Sequence, residues 1–569
     1  MSDLPTLPDI HFILHEVLRA PALLQSLPNF AEVDADLMRQ VLDEAGKFVG
    51  EVVAPLNRSG DEVGCRFSQG QVTTPPGFKE AYQAFWQAGW PSLACAPEDG
   101  GQGLPTVLEA VLYEMLSAAN HGWTMAPGLL HGAYECIKHH ASEELKARYL
   151  EKVASGEWLA TMCLTEPHAG SDLGLVSTRA VPQADGSYQL SGTKIFISGG
   201  EHDLSENIVH LVLARLPDAA PGPKGLSLFL VPKFLPDGTR GAVHCERIEE
   251  KMGLHGSATC VLRFDAATGW IVGVPGRGLN AMFVMMNAAR LHVALQGMGL
   301  LEAAWQKAAA YAQERRQMRA PGRGTSVAQA DPIMMHPAIR RILDTQRAWI
   351  DGGRVLAYTT ALELDMVKHH PDAQRRAAAE CWCSLVTPVL KAAWTEQAFK
   401  GSSECLQVFG GHGYVREWGI EQIVRDSRVS MIYEGTNEIQ AIDLLVRKVL
   451  ADRGVGLTAL LALLVDSEKY SVHPLVSLGD QAKSLMDLTQ QLVAASATNH
   501  ELAYWVADDY LRAVALLLLQ WAWLRIRQAL PEHADTAEAG RWLNPAAALQ
   551  HWIVPEFDMR LSIIKARLL

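Results

Sequence analysis

The chain has 569 residues, a net charge of −13, and a composition that is 49 % hydrophobic and 20 % charged. That length exceeds a single hydrophobic core, so several domains are expected. The acidic balance disfavours nucleic acid as a partner but leaves room for a local basic pocket.

Nine scattered cysteines suggest neither a disulfide framework nor zinc spacing, and no metal site is expected. The N-terminus lacks the basic-then-apolar layout of a secretory signal. The longest mainly apolar run, residues 513–524, is about half the length of a membrane span. A reducing, cytoplasmic setting is therefore expected.

In chain order, residues 1–32 carry a short apolar segment followed by Pro21 and Pro28, which reads as a leading helical segment. Residues 33–158 have helical apolar spacing, interrupted at Pro75-Pro76-Gly77 and at the run E-D-G-G-Q-G of residues 98–103. Residues 159–280 change to short alternating β-branched runs divided by Asp-Gly and Pro-Gly turns, the pattern of a small antiparallel β-domain. Residues 281–451 are helical again, with links at 314–324 and 369–372. Residues 452–569 continue as a helical extension that includes a long helix over 502–530. No internal repeat is present.

Residues 431–447, M-I-Y-E-G-T-N-E-I-Q-A-I-D-L-L-V-R, hold a candidate catalytic carboxylate. Glu434 sits between Tyr433 and Gly435. Thr436 is a good N-cap, and Ile439, Ile442 and Val446 recur at helical spacing. A carboxylate is thus placed on a tight turn at a helix mouth, beside free N–H groups and a positive dipole end. An apolar neighbour such as Tyr433 makes a carboxylate a stronger base. By itself the stretch also fits a first-turn glutamate that only complements the helix dipole.

Other stretches narrow the choice. Residues 162–172 read M-C-L-T-E-P-H-A-G-S-D, with small residues that let a flat ligand approach and hydroxyls on Thr165 and Ser171. Residues 194–198, K-I-F-I-S, alternate like a strand and put Phe196 and Ser198 on one face. Residues 407–413 read Q-V-F-G-G-H-G, and a run of arginines, 315, 316, 319, 323 and 340, surrounds the first helical link. Each stretch alone also has a structural reading, as a turn, a core strand or a solvated face.

Together these motifs resemble the acyl-CoA dehydrogenase family, FAD enzymes that place a double bond between Cα and Cβ of an acyl-CoA thioester. The resemblance covers the chain to about residue 449 and is nearest to larger members with a C-terminal extension, including the methylmercaptopropionyl-CoA dehydrogenase-like group. It implies a mainly α fold with a central β-domain: an N-terminal helical domain, an antiparallel β-domain, a C-terminal four-helix bundle, and here a further helical extension. It makes Glu434 the catalytic base. It assigns FAD contacts to Met162, Leu164, Thr165, Ser171, Phe196, Ile197, Ser198, Thr436 and Glu438. FAD of a neighbouring subunit is assigned to Arg315, Gln407, Gly410 and Gly411. Ser171, Tyr433, Gly435 and Arg447 are assigned to the acyl-CoA substrate. An electron-transfer flavoprotein is the implied electron acceptor. A homodimer is implied, with a tetramer as the alternative and peripheral membrane contact as one role for the extension.

Two departures stand out. Ala258 and Cys260 occupy positions where several relatives carry an Asp and an Arg near CoA, leaving His255 and Arg263 as substitutes. Ala289, before Arg290, occupies the place where other relatives carry their base, which leaves that role to Glu434. A flavin oxidase or monooxygenase on the same fold, and a non-catalytic acyl-CoA-binding homologue, are the competing readings.

Overall fold

The computed structural model describes residues 6–322, 329–468, 478–530 and 536–569. Arg323, the first five residues of the leading segment, and residues 469–477 and 531–535 of the extension lie outside the described residues. The chain is mainly helical with one β-domain, and its described residues fall into two compact units, residues 44–292 and residues 6–43 with 293–569.

The first unit opens with helices, among them Phe78–Gln87, Thr106–Thr124, Leu130–His140 and Glu143–Ser155. Thr106–Thr124 is buried almost throughout, as its apolar sequence demands. It kinks at Asn120 (φ −159°, ψ 86°), whose Oδ1 caps the restart by accepting from Trp123 N (3.1 Å). The E-D-G-G-Q-G loop requires its glycine at 101: a Cβ there would lie 2.1 Å from the Cys95 carbonyl oxygen. Beyond the two expected turns, the helical reading of this region fails at one place. Arg66–Ser68 and Gln71–Thr73 form an antiparallel hairpin. Gln69 (φ 49°) and Gly70 (φ 78°) make its two-residue turn, the left-handed pair that matches strand twist.

The β-domain has seven strands: β1 Leu159–Cys163, β2 Arg179–Pro182, β3 Tyr188–Ser198, β4 Ile208–Arg215, β5 Leu226–Pro232, β6 Val243–Ile248 and β7 Thr259–Val272. Pairings β4–β2–β3–β7–β5–β4 close a ring, with β1 added on β4 and β6 on β7. Most pairings are antiparallel, as the sequence suggests, but β4 runs parallel to β1, with Leu159 opposite Ile208, and to β2, with Arg179 opposite Arg215. β4 and β5 are buried along nearly their whole length, which explains their continuous rather than alternating apolar sequence.

In the second unit, Pro337–His369 and Ala373–Val408 are joined by residues 370–372, and Asp372 caps the second helix by accepting from Gln374 N (2.9 Å). The helix Gly278–Glu314 contributes its C-terminal part from residue 293. The extension supplies Val455–Glu468, Leu478–Ser496, Leu502–Ala529, Thr536–Ala548 and Pro555–Leu568. Its long helix is packed into the unit's own core: residues 510–524 are all buried. Trp523 Nε1 donates to the Ala348 carbonyl (2.8 Å), and a Cβ on Gly352 would meet Leu519 Cδ1 at 2.3 Å. A peripheral-membrane role therefore finds no free face along that stretch.

Buried charges tie the parts of this unit together. Asp351 accepts from Arg347 (2.6 Å) and Arg541 (2.8 Å), and Arg541 also reaches Asp9 of the leading segment (2.7 Å). Arg354 donates to Glu302 (3.0 Å) and Thr6 (2.7 Å). Burial alone would push the Asp351 carboxyl up, but Arg347 and Arg541 hold it well below the usual range. No helix among the described residues is long and apolar enough to cross a membrane.

Candidate active site

In the first unit, β1 delivers the chain to the T-E-P-H-A-G-S-D loop. Met162 is buried, Leu164 and Thr165 are half-buried, and Ser171 is exposed. The loop is anchored by Glu166, which sequence reasoning passed over. Its carboxylate accepts from Ser177 N (2.8 Å), Ser177 Oγ (2.7 Å), Thr178 N (3.0 Å), Thr178 Oγ1 (2.6 Å) and Lys194 Nζ (2.9 Å). Burial pushes that carboxyl up, but the Lys194 charge and the donors outweigh it and leave it at about 2. Burial pulls the Lys194 ammonium down in turn, so the pair stands on geometry, five donors on one carboxylate. Lys194 Nζ also donates to Leu164 O (2.9 Å), and Ile195 N donates to Thr165 O (2.9 Å). The loop is thereby fixed on β3.

β3 does not alternate simply, as K-I-F-I-S suggests. Its ladder with β7 shifts register between Lys194 and Ile197, and Phe196 adopts φ +59° with its ring 62 % exposed. Ile197 is buried and Ser198 half-buried. A non-glycine residue in the left-handed region costs about 1–2 kcal/mol. Strain spent on presenting an aromatic ring outward is characteristic of a ligand-facing position.

In the second unit, the M-I-Y-E-G-T turn is built as the sequence suggests. Glu434 (φ +56°) and Gly435 (φ +82°) are successive left-handed residues. Thr436 caps the following helix, Asn437–Ile442, by accepting from Ile439 N (3.3 Å). The helix continues as a π-helical run, Asp443–Leu450. The buried stripe differs from expectation: Ile439, Ile442 and Val446 are half-buried, while Gln440, Ala441, Leu444, Leu445 and Val449 face the core. The buried positions recur at a spacing of four and are offset from the expected ones already in Asn437–Ile442, before the π-helical run begins. Tyr433 donates its hydroxyl to Gln296 Oε1 (2.6 Å), and burial raises its pKa well above the ordinary value. Glu438 is exposed, and its own N–H and the Thr436 hydroxyl hold its carboxyl below the usual range. Arg447 is exposed on the π-helical run, 3.9 Å from Asp443.

Arg315 follows the end of Gly278–Glu314 and is exposed, its carbonyl accepting from Ile333 N (2.7 Å). Gln407, Gly410 and Gly411 are exposed at the end of Ala373–Val408, and a Cβ on either glycine would meet nothing of this chain within 4 Å. Tyr311, Phe409, His412 and Trp418 brace this corner: Tyr311 stacks on Phe409 (4.3 Å between centroids) and His412 on Trp418 (4.7 Å).

Both proposed substitutes for the missing CoA contacts are engaged elsewhere. His255 Nδ1 is 2.9 Å from Asp61 Oδ1, and Arg263 pairs with Glu246 and Asp265 at 2.8 Å each. Ala258, Cys260 and Ala289 are buried.

Sequence reasoning also missed the residues behind the Glu434 turn. Lys391 Nζ donates to Gly435 O (2.7 Å) and Asn437 Oδ1 (3.0 Å), and Gln440 Nε2 donates to Glu434 O (3.0 Å). The available signal was a lysine inside the apolar helical stretch V-L-K-A-A-W.

A helical domain, a closed β-domain and a helical bundle, with a carboxylate on a strained turn and an exposed ring on a bulged strand, define one class of enzyme. Profiles of the acyl-CoA dehydrogenase N-terminal, middle and C-terminal domains match residues 36–157, 161–267 and 276–450, and the chain belongs to that family. It is accordingly an FAD-dependent oxidoreductase acting on acyl-CoA.

Among its relatives, 3-methylmercaptopropionyl-CoA dehydrogenase of Ruegeria pomeroyi is 45 % identical over 78 % of this chain and 76 % of that protein. A butyryl-CoA dehydrogenase of Syntrophomonas wolfei is 34 % identical over 94 % and 90 %. In fold, the chain is similar to an acyl-CoA dehydrogenase of Bacillus anthracis solved with FAD, with a TM-score of 0.78 at 21 % identity over 96 % and 90 % of the two chains.

The residues present fit FAD. The Phe196 ring offers a stacking face, Gly410 and Gly411 leave space that a Cβ would take, and Arg315 offers an exposed cation for pyrophosphate. Phe196→Gly separates strain from binding. The FAD-free protein should keep or raise its thermal midpoint, because glycine accepts φ +59°. FAD affinity, read by fluorescence titration, should fall about 10-fold with loss of the stacked ring. A lower midpoint with unchanged affinity would make Phe196 a core residue instead.

Proposed function

We propose that the protein carries out α,β-dehydrogenation of an acyl-CoA thioester to the trans-2-enoyl-CoA, with Glu434 as the α-proton base. The observation that carries this reading is a half-buried carboxylate held at φ +56° on a clamped turn beside a capped helix mouth. Bound FAD would supply the hydride acceptor for the β-hydrogen.

Glu434 removes the α-proton, and its backbone N–H is proposed to donate to the thioester carbonyl as enolate-like charge develops. Each such donor is typically worth about 3–4 kcal/mol. The helix that Thr436 caps presents its positive dipole end close to Glu434 in the chain, which supports this reading. Tyr433, Gly435, Ser171 and Arg447 are proposed to bind the acyl-CoA. Met162, Leu164, Thr165, Ser171, Phe196, Ile197, Ser198, Thr436 and Glu438 are proposed to hold FAD, with Arg315, Gln407, Gly410 and Gly411 acting on a second copy's FAD.

The last set supports a homodimer. Near it in sequence, Met318 (77 % exposed) and Tyr414 (87 %) present apolar surface that a second copy would cover. The relatives' names make butyryl-CoA and 3-methylmercaptopropionyl-CoA the first substrates to try. Electrons are proposed to leave for an electron-transfer flavoprotein. Substrate-reduced enzyme should be reoxidised rapidly by that protein and slowly by oxygen, with enoyl-CoA as product. Fast reoxidation by oxygen alone would favour the oxidase reading.

A further inference from the structure

We infer that Lys391 is a positioning residue for Glu434: its buried ammonium, with Gln440, clamps the Glu434–Gly435 turn and fixes the direction of the carboxylate. This rests on Glu434 being the base. A buried ammonium is costly unless it is paired or hydrogen-bonded, and an apolar side chain would fill the same helical position without that cost. Lys391 is fully buried on Ala373–Val408, and its Nζ lies on the turn itself, donating to Gly435 O (2.7 Å) and Asn437 Oδ1 (3.0 Å).

The turn needs such a clamp. Two successive left-handed residues, one of them not glycine, persist only where their surroundings over-determine them. Gln440 Nε2 holds Glu434 O (3.0 Å) and approaches Gly435 O (3.4 Å). Asn437 completes the frame: Thr395 Oγ1 donates to its Oδ1 (3.2 Å), and its Nδ2 donates to Ala392 O (3.1 Å). The Gly435 carbonyl is therefore fixed to a long buried helix, and the Glu434 carbonyl to the helix that follows the turn. A Cβ on Gly435 would lie 2.6 Å from Gln440 Nε2, so the glycine gives the clamp its room. A base must lie within hydrogen-bond reach of the proton it takes, and a displacement of about 1 Å can cost about 100-fold in rate.

The test is Lys391→Met, a variant close in volume that lacks the donors, mixed anaerobically with whichever of butyryl-CoA and 3-methylmercaptopropionyl-CoA bleaches the wild type. Flavin reduction should slow by about 100-fold while FAD content and the acyl-CoA dissociation constant stay unchanged, a split that a merely structural lysine would not produce. If this variant fails to hold FAD, Gln440→Met decides, because it removes the other arm of the clamp. A slowed reduction at unchanged acyl-CoA affinity supports the proposal, and a wild-type rate overturns it. Glu434→Gln is measured alongside. A dead Glu434→Gln with a normal Lys391→Met refutes the clamp alone, whereas a normal Glu434→Gln refutes the base assignment and the clamp with it.

Discussion

Glu434→Gln should retain yellow FAD and bind acyl-CoA, yet reduce flavin about 10²–10⁴ times more slowly than the wild type. Glutamine matches glutamate in shape and meets the same cost at φ +56°, so the turn and its clamp survive. The backbone N–H that is proposed to stabilise the enolate also remains. Only the ability to accept the α-proton is lost. Rapid mixing under anaerobic conditions reads the rate, and a near-normal value would end the assignment of the base. Because Ala289 and its neighbour Arg290 offer no carboxylate, no second acid–base group at that position should rescue the variant.

The second large effect is on stability. Lys194→Met should leave the Glu166 carboxylate buried without its cation and cost about 3–5 kcal/mol. It also removes the donor to Leu164 O, so the T-E-P loop should loosen and FAD retention fall. Chemical unfolding followed by flavin release reads both. The same carboxyl sets an acid limb. With its folded value at about 2 against an ordinary 4.5, it contributes stability that is fully present above the ordinary value and lost as pH falls towards 2. Glu166→Gln should flatten that part of the unfolding–pH curve. An unchanged curve would mean that other carboxylates dominate acid unfolding.

What was legible in the sequence was local. Thr436 two residues after Glu434, with Gly435 between them, announces a capped helix start, because the cap joins Thr436 to Ile439 N only three residues on. The helix–β–helix order follows from changes of apolar period, and the closed sheet of the β-domain keeps its strands where β-branched runs occur. What was hidden depends on partners far apart. Lys391 meets Gly435 across 44 positions, and Glu166 meets Lys194 across 28. A period-2 reading of K-I-F-I-S cannot contain the bulge that turns Phe196 outward, because the bulge depends on the register with β7. The hairpin at Arg66–Thr73 was missed because two three-residue strands are too short to break a helical pattern, although Gln69-Gly70 was its turn signal. The stripe after Thr436 was misplaced because the face that packs includes the polar Gln440, which an apolar-period reading passes over.

The central claim is that this chain, holding FAD, takes two hydrogens from an acyl-CoA. Anaerobic mixing of the purified protein with acyl-CoAs of graded length, branching and heteroatom content tests it most directly. The account predicts bound yellow FAD that bleaches with one class of acyl-CoA, with butyryl-CoA and 3-methylmercaptopropionyl-CoA tried first. FAD that is bound but bleached by no member of the panel would contradict it, as would a protein that holds no FAD.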